Sequence, residues 1–129
     1  MRASRATAWL ILLMAGGTAC RRQDGATPAV APDPNTPVPV EVENHYQGDV
    51  VVYLLRGTQK ARLGLVTALS SGDFMLRWRN LGTSGSARLM AYPLAGARSY
   101  ESEALHLQPG QSVKWTLESD LDRSTLIVY

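Results

Sequence analysis

Cysteine is almost missing from this chain. Cys20 is its single copy among 129 residues. No disulfide can therefore close within one molecule, and no thiol beyond that position can serve catalysis or a metal. Histidine is nearly as scarce. His45 and His106 lie far apart in sequence, and no His, Cys and Asp spacing around them suggests a zinc site. An excess of one charge is missing too. The formal charge of +2 counts Arg2 and Arg5, which lie in a segment read below as removable. Without that pair the basic residues fall from 13 to 11, equal to the 11 acidic ones. A sequence pI of 8.9 is then a poor argument for nucleic acid, which calls for a clustered basic face on a basic domain. Long apolar runs are also lacking. Ala6 to Ala15 is shorter than the ~17–25 residues that a membrane-spanning helix needs. No window carries a convincing helical stripe.

What is present begins with a secretory pattern. Arg2 and Arg5 form a positive n-region, Ala6 to Ala15 an apolar h-region, and Gly16 to Ala19 a small-residue run before Cys20. On Thr18, Ala19 and Cys20 the segment resembles a bacterial lipoprotein signal peptide, although Gly17 stands where that class usually has leucine. The resemblance implies cleavage after residue 19, lipid on Cys20 and a membrane partner reached through that lipid. Arg21 is not aspartate, which in Gram-negative lipoproteins implies the outer membrane. Gly17 to Ala19 also fits an ordinary small-x-small cleavage site, which would leave a secreted or periplasmic protein. Residues 20–37 follow as a linker holding Pro28, Pro32, Pro34 and Pro37. Proline favours extended, donor-poor backbone, so this is a semi-rigid tether. At ~3.1 Å per residue it reaches roughly 50 Å.

Residues 38–129 read as the folded domain. Val38, Val40 and Val42 alternate with Pro39, Glu41 and Glu43 as in a half-exposed strand, and Pro39 suggests that it starts at an edge. Asp49 to Arg56 is apolar at both odd and even positions, as a central strand is. Lys60 to Thr67 places Ala61, Leu63 and Leu65 inward and Arg62 outward, with Gly64 marking a bulge or a close neighbour. Phe74, Leu76 and Trp78 share the next inner face. Further strands follow at Ala87 to Ala91, Tyr100 to Leu107, Val113 to Leu117 and Ser124 to Tyr129, separated by turns such as Gln108 to Gln111. About eight short strands with turn signals between them predict an all-β fold. The expected form is an antiparallel β-sandwich of the immunoglobulin or transthyretin general type. A small outer-membrane barrel fits less well, since its strands need ~9–11 residues with an apolar outward face. The runs Arg62 to Thr67, Arg88–Leu89, Pro109–Gly110 and Val113 to Leu117 also resemble a group of small uncharacterised bacterial lipoproteins and secreted proteins. That resemblance implies a β-sandwich and no assigned activity.

Candidate sites are few. Glu101 and Glu103 share a strand face, and glycosidases use paired carboxylates, but exposed i, i+2 acids are usually solvated. Asp120 and Asp122 lack the glycine and further acids of a calcium loop, and Gly82 to Gly85 lacks the lysine of a phosphate loop. No serine sits in a Gly-x-Ser-x-Gly context with a partner histidine. No catalytic residue, cofactor or metal is assigned, and the expectation is a protein that is not an enzyme. Arg77 and Arg79 project from one strand face with Arg62 and Arg88 beside them, a set able to bind an anion. Pairing with Glu41, Glu43, Glu101 and Glu103 is the competing reading. The outward row Val51, Tyr53 and Leu55 forms a docking patch for a protein unless another layer covers it. These readings converge on a non-catalytic interaction or structural module of the cell envelope with an envelope protein as partner. A carbohydrate- or anion-binding module is the alternative, and an accessory to an outer-membrane enzyme comes third.

Overall fold

The computed structural model describes residues 31–96 and 98–129. The signal segment and Cys20 lie outside the described residues. The elements in chain order are β1 (Pro37–Asn44), β2 (Val50–Arg56), β3 (Gln59–Val66), β4 (Ser71–Arg77), the helical turn α1 (Trp78–Leu81) and β5 (Ala87–Pro93). They continue with β6 (Tyr100–Glu101), β7 (Val113–Leu117), a 3-10 turn at Leu121–Arg123 and β8 (Thr125–Val128). The strands form two four-stranded sheets. The first has the order β4-β1-β7-β8, and the second β3-β2-β5-β6, so β1 lies inside its sheet rather than at an edge, and Pro39 is tolerated because pairing with β7 begins only at Val40. Among the described residues no helix is long and apolar enough to cross a membrane.

β1 and β7 bury alternate residues, and the buried sets of the two sheets face each other. β1 contributes Val38, Val40 and Val42, and β7 contributes Val113, Trp115 and Leu117. From the second sheet come Val50, Val52 and Leu54 of β2 with Leu89 and Ala91 of β5. Two-residue alternation with one buried face per sheet makes this an all-β sandwich. Trp115 is fully buried at its centre and stacks on Tyr100 across the layers, ring centroids 6.1 Å apart. Phe74 and Trp78 are half-buried against the same core.

Five of the six strand pairings are antiparallel, and β1 with β7 is parallel. Parallel neighbours need a long crossover. Here the chain from β2 to β6 makes that crossover. Sequence periodicity cannot show it, because alternation is the same in either direction.

Four local expectations change. The bulge near Gly64 is present, with register slipping opposite Val52 and Tyr53 so that Leu63 is the extra residue. An extra residue inverts the alternation that follows it. Leu65 therefore points outward and is 43% exposed, and Ala61 is exposed as well. β4 ends at Arg77, and residues 78–81 coil into α1 instead of continuing the strand. The segment expected as a strand from Tyr100 to Leu107 pairs regularly only at Tyr100–Glu101. Beyond that it follows β5 through single bonds from Ser102 N to Leu89 O and Leu105 N to Ala87 O. Finally, the tether joins the fold before Val38. Trp78 N donates to Thr36 O (2.9 Å) and Arg79 N to Pro34 O (3.0 Å), and Pro37 already belongs to β1.

Candidate binding face

The outward side of the second sheet is built around β2. Register sets three rows across it. Val51 lies between Leu65 of β3 and Tyr92 of β5, Tyr53 between Arg62 and Met90, and Leu55 between Lys60 and Arg88. Central position decides exposure within these rows. Val51 and Met90 are nearly buried by their neighbours, while Leu65 and Tyr92 are 43% and 46% exposed. Tyr53 and Leu55 are half-buried. Among the described residues no element forms a third layer over this face.

Its charges are mostly cationic. Lys60, Arg62 and Arg88 are all exposed. Lys60 Nζ sits 4.1 Å from the Tyr53 ring centroid and 5.8 Å from that of Tyr92. An ammonium over an aromatic face is attracted by the ring's negative centre. Arg88 meets Glu101 of β6 at 3.8 Å, an exposed pair of small energetic weight. The centre is thus apolar and aromatic, and the rim is positive.

The structure divides the four arginines. Arg62 and Arg88 stand on this face beside the Val51, Tyr53 and Leu55 row. Arg77 pairs with Pro37 on the outward side of the first sheet, and its guanidinium donates to Asn35 O at 3.1 Å. Arg79 is carried by α1, where its carbonyl accepts from Arg56 Nη1 at 3.0 Å. The single arginine face is therefore not formed, because β4 places Arg77 in the first sheet and the chain leaves strand geometry at Trp78 before Arg79. In exchange, Arg62 and Arg88 join the apolar row, and Leu65, Tyr92 and Lys60 join them. Tyr92 and Arg88 were legible from the alternation of Ala87, Leu89 and Ala91. Leu65 was not, because the bulge reverses its side.

The outward side of the first sheet has the opposite character. Asp73, Glu41 and Lys114 form one row across β4, β1 and β7. Lys114 Nζ reaches Glu43 at 2.9 Å and Glu41 at 3.6 Å. His45 lies just past β1 between Glu43 (Nε2 to Oε1, 2.9 Å) and Glu118 (Nδ1 to Oε2, 3.4 Å). Its hydrogen bond to Glu43, then that to Glu118, raises the imidazole above its ordinary value. The same contact with His45, then that with Lys114, lowers the Glu43 carboxyl. This group is a surface charge network, with His45 45% exposed. An open depression of about 410 Å³ beside it is lined by Pro39, Asp73, Met75 and Tyr129 among others.

The remaining candidates serve local structure. Asp120 Oδ1 accepts from Asp122 N and so caps the 3-10 turn, with Arg123 3.8 Å from Asp120. Ser102, between Glu101 and Glu103, is buried, and its hydroxyl accepts from Leu89 N. Gly82 and Gly85 take positive φ of 70° and 78° in the loop before β5, where Ser86 Oγ donates to Thr83 O and Leu81 O. His106 is exposed and remote from His45. Among the described residues no group of three or more His, Cys, Asp or Glu could hold a metal ion.

No protein-family model matches this chain, and no curated protein matches it. Among solved structures it is similar to an NMR structure of a protein from Eubacterium rectale. That chain is 12% identical with a TM-score of 0.46, and the likeness covers 77% of this chain and 92% of the other.

Proposed function

We propose that this chain is a non-catalytic interaction module of the bacterial cell envelope, held to a membrane by lipid on Cys20. Its partner docks on the outward face of the second sheet. The supporting observation is the composition of that face. Leu65, Tyr92, Tyr53 and Leu55 give an uncovered apolar centre, and Lys60, Arg62 and Arg88 surround it. Such a surface fits a protein partner with an apolar centre and acidic rim, the usual layout of a docking site. Aromatic and cationic side chains are the ones that most often carry binding energy.

The second reading is an anionic glycan or lipid headgroup on the same face. Lys60 over Tyr53, with Arg62 beside it, favours it. A tryptophan platform does not support it, since Trp115 is fully buried.

The test places an epitope tag in the linker, recovers the protein from envelopes of its host in mild detergent, and compares wild type with Tyr53→Glu and Leu65→Glu. A stoichiometric companion lost from both variants, with the fold intact by circular dichroism, is the expected result. A companion retained by both variants rules out docking on this face. A protein recovered alone turns the assignment to the anionic ligand.

A further inference from the structure

Two four-stranded sheets leave four edge strands, and unpaired edges invite pairing unless something blocks it. Three of them are blocked. β3 carries Lys60, Arg62 and the bulge at Leu63. β4 carries Asp73 and Arg77. β6 is two residues long. β8 has none of these devices. From Ser124 to Tyr129 there is no charged side chain, proline or glycine, and the ladder to β7 runs without a register shift. Its outward side chains include Ile127 at 54% and Tyr129 at 62% exposed.

The hydrogen-bond phase of β8 tells which main-chain groups face out. Ser112 and Tyr129 exchange both bonds, Ser112 N to Tyr129 O at 2.8 Å and Tyr129 N to Ser112 O at 3.1 Å. Bonded and non-bonded pairs alternate along an antiparallel ladder. The register is Val113 with Val128, Lys114 with Ile127, Trp115 with Leu126 and Thr116 with Thr125. Ile127 and Thr125 therefore also turn their main-chain groups to β7. Leu126 and Val128 turn theirs to the free edge.

We infer that a second copy of this chain pairs there, β8 against β8, antiparallel about a two-fold axis through Ile127. In that register Leu126 meets the second copy's Val128, and Val128 its Leu126. The free N–H and C=O groups of both strands are then all matched in two bonded pairs. The occupant is a copy rather than an unrelated strand for two reasons. The free groups are disposed symmetrically about Ile127, so the edge is its own complement. It also carries no charged side chain to repel an identical strand, and the neighbouring Arg123 has Asp120 3.8 Å away. Closed two-fold pairing of this kind uses the same patch on both partners. It would join the two first sheets into one continuous sheet and leave both docking faces free. The inference is independent of the function proposed above, since it uses a different surface.

The axis fixes a distance. Ile127 and the second copy's Ile127 form a non-bonded pair with Cα atoms about 4.5 Å apart, close enough for a disulfide. The experiment uses the full chain in detergent, in a Cys20→Ser background so that an introduced thiol stands alone. Ile127→Cys is compared under mild oxidation with Met75→Cys, which is 61% exposed on the opposite edge of the same sheet. Light scattering over a concentration range gives the mass of the parent and of Ile127→Lys. The expected result is a concentration-dependent dimer, covalent dimer formation at least about tenfold faster at position 127 than at 75, and loss of the dimer in Ile127→Lys with near-ultraviolet dichroism unchanged. A single-chain mass at every concentration overturns the inference. So does equal cross-linking at both positions, a dimer that survives Ile127→Lys, or cross-linking at 127 to a different protein alone.

Discussion

Asn44 closes β1 with a side chain that is completely buried. Its amide donates to the carbonyls of Gly48 (3.0 Å) and Thr67 (3.1 Å), with Val66 at 3.4 Å, and its Oδ1 accepts from Tyr46 N at 3.0 Å. It thereby ties the β1–β2 turn to the end of β3. Asn44→Ala removes these bonds and leaves the Tyr46 N–H without its acceptor, although Thr67 O keeps its bond from Ser70 Oγ, and denaturant unfolding should show a loss of about 2–3 kcal/mol. The sequence marks Asn44 as a turn residue and hides its tie to β3, because Val66 and Thr67 lie more than twenty positions away. His45, one residue on, is legible as exposed but not as paired. Its raised pKa means that its contribution to stability is full below the ordinary value of 6.5 and fades as pH rises through the raised value. Glu43, with a lowered pKa, contributes above its ordinary 4.5 and ceases to as pH falls through the lowered value. Both act together between pH 4.5 and 6.5. Proton NMR should find His45 titrating above 6.5, and Glu43→Gln should move it back toward that value.

The bulge in β3 shows how one element changes two surfaces. Gly64 faces inward, and a methyl group added there would lie 2.6 Å from Phe74 Cε1. The Phe74 ring of the first sheet rests on the bare backbone of the second, which requires glycine at that position. Gly64→Ala must push the ring aside, and an overpacked contact of this kind costs about 1–3 kcal/mol. The same substitution in a Phe74→Ala background should cost much less. Equal losses in both backgrounds would show that the ring is not the obstacle. Gly64 was legible as a bulge or a close approach, and it is both. The reversal of Leu65 was not legible, because a bulge shifts the phase by one residue without changing composition. The end of β4 was hidden for a related reason. Phe74, Leu76 and Trp78 keep strand spacing, yet Trp78 N bonds to Thr36 O and the chain turns into α1.

The sandwich as a whole separates charge. One outward face carries Lys60, Arg62 and Arg88 against Glu101, and the other carries Glu41, Glu43, Asp73 and Glu118 against Arg77, Lys114 and His45. A formal charge of only +2 thus conceals two faces of opposite sign. If the cationic face docks an acidic partner, the complex recovered with wild type should weaken as salt rises, because exposed charges are screened within about 10 Å at ~0.1 M ionic strength. A complex indifferent to salt would place the partner's contacts on the apolar centre alone.

Sequence alone determined most of the strand positions, the β1 and β2 cores, the all-β class and the central place of Val50 to Arg56. It could do so because burial in a sheet imprints a two-residue period on composition, and turns demand glycine, proline and small polar residues. Only the tertiary structure decided the parallel β1–β7 pairing, the partition of the four arginines and the side on which Leu65 lies. It also decided which edge is unprotected. Those depend on which strands become neighbours and in what register, and neither quantity leaves a period in the chain.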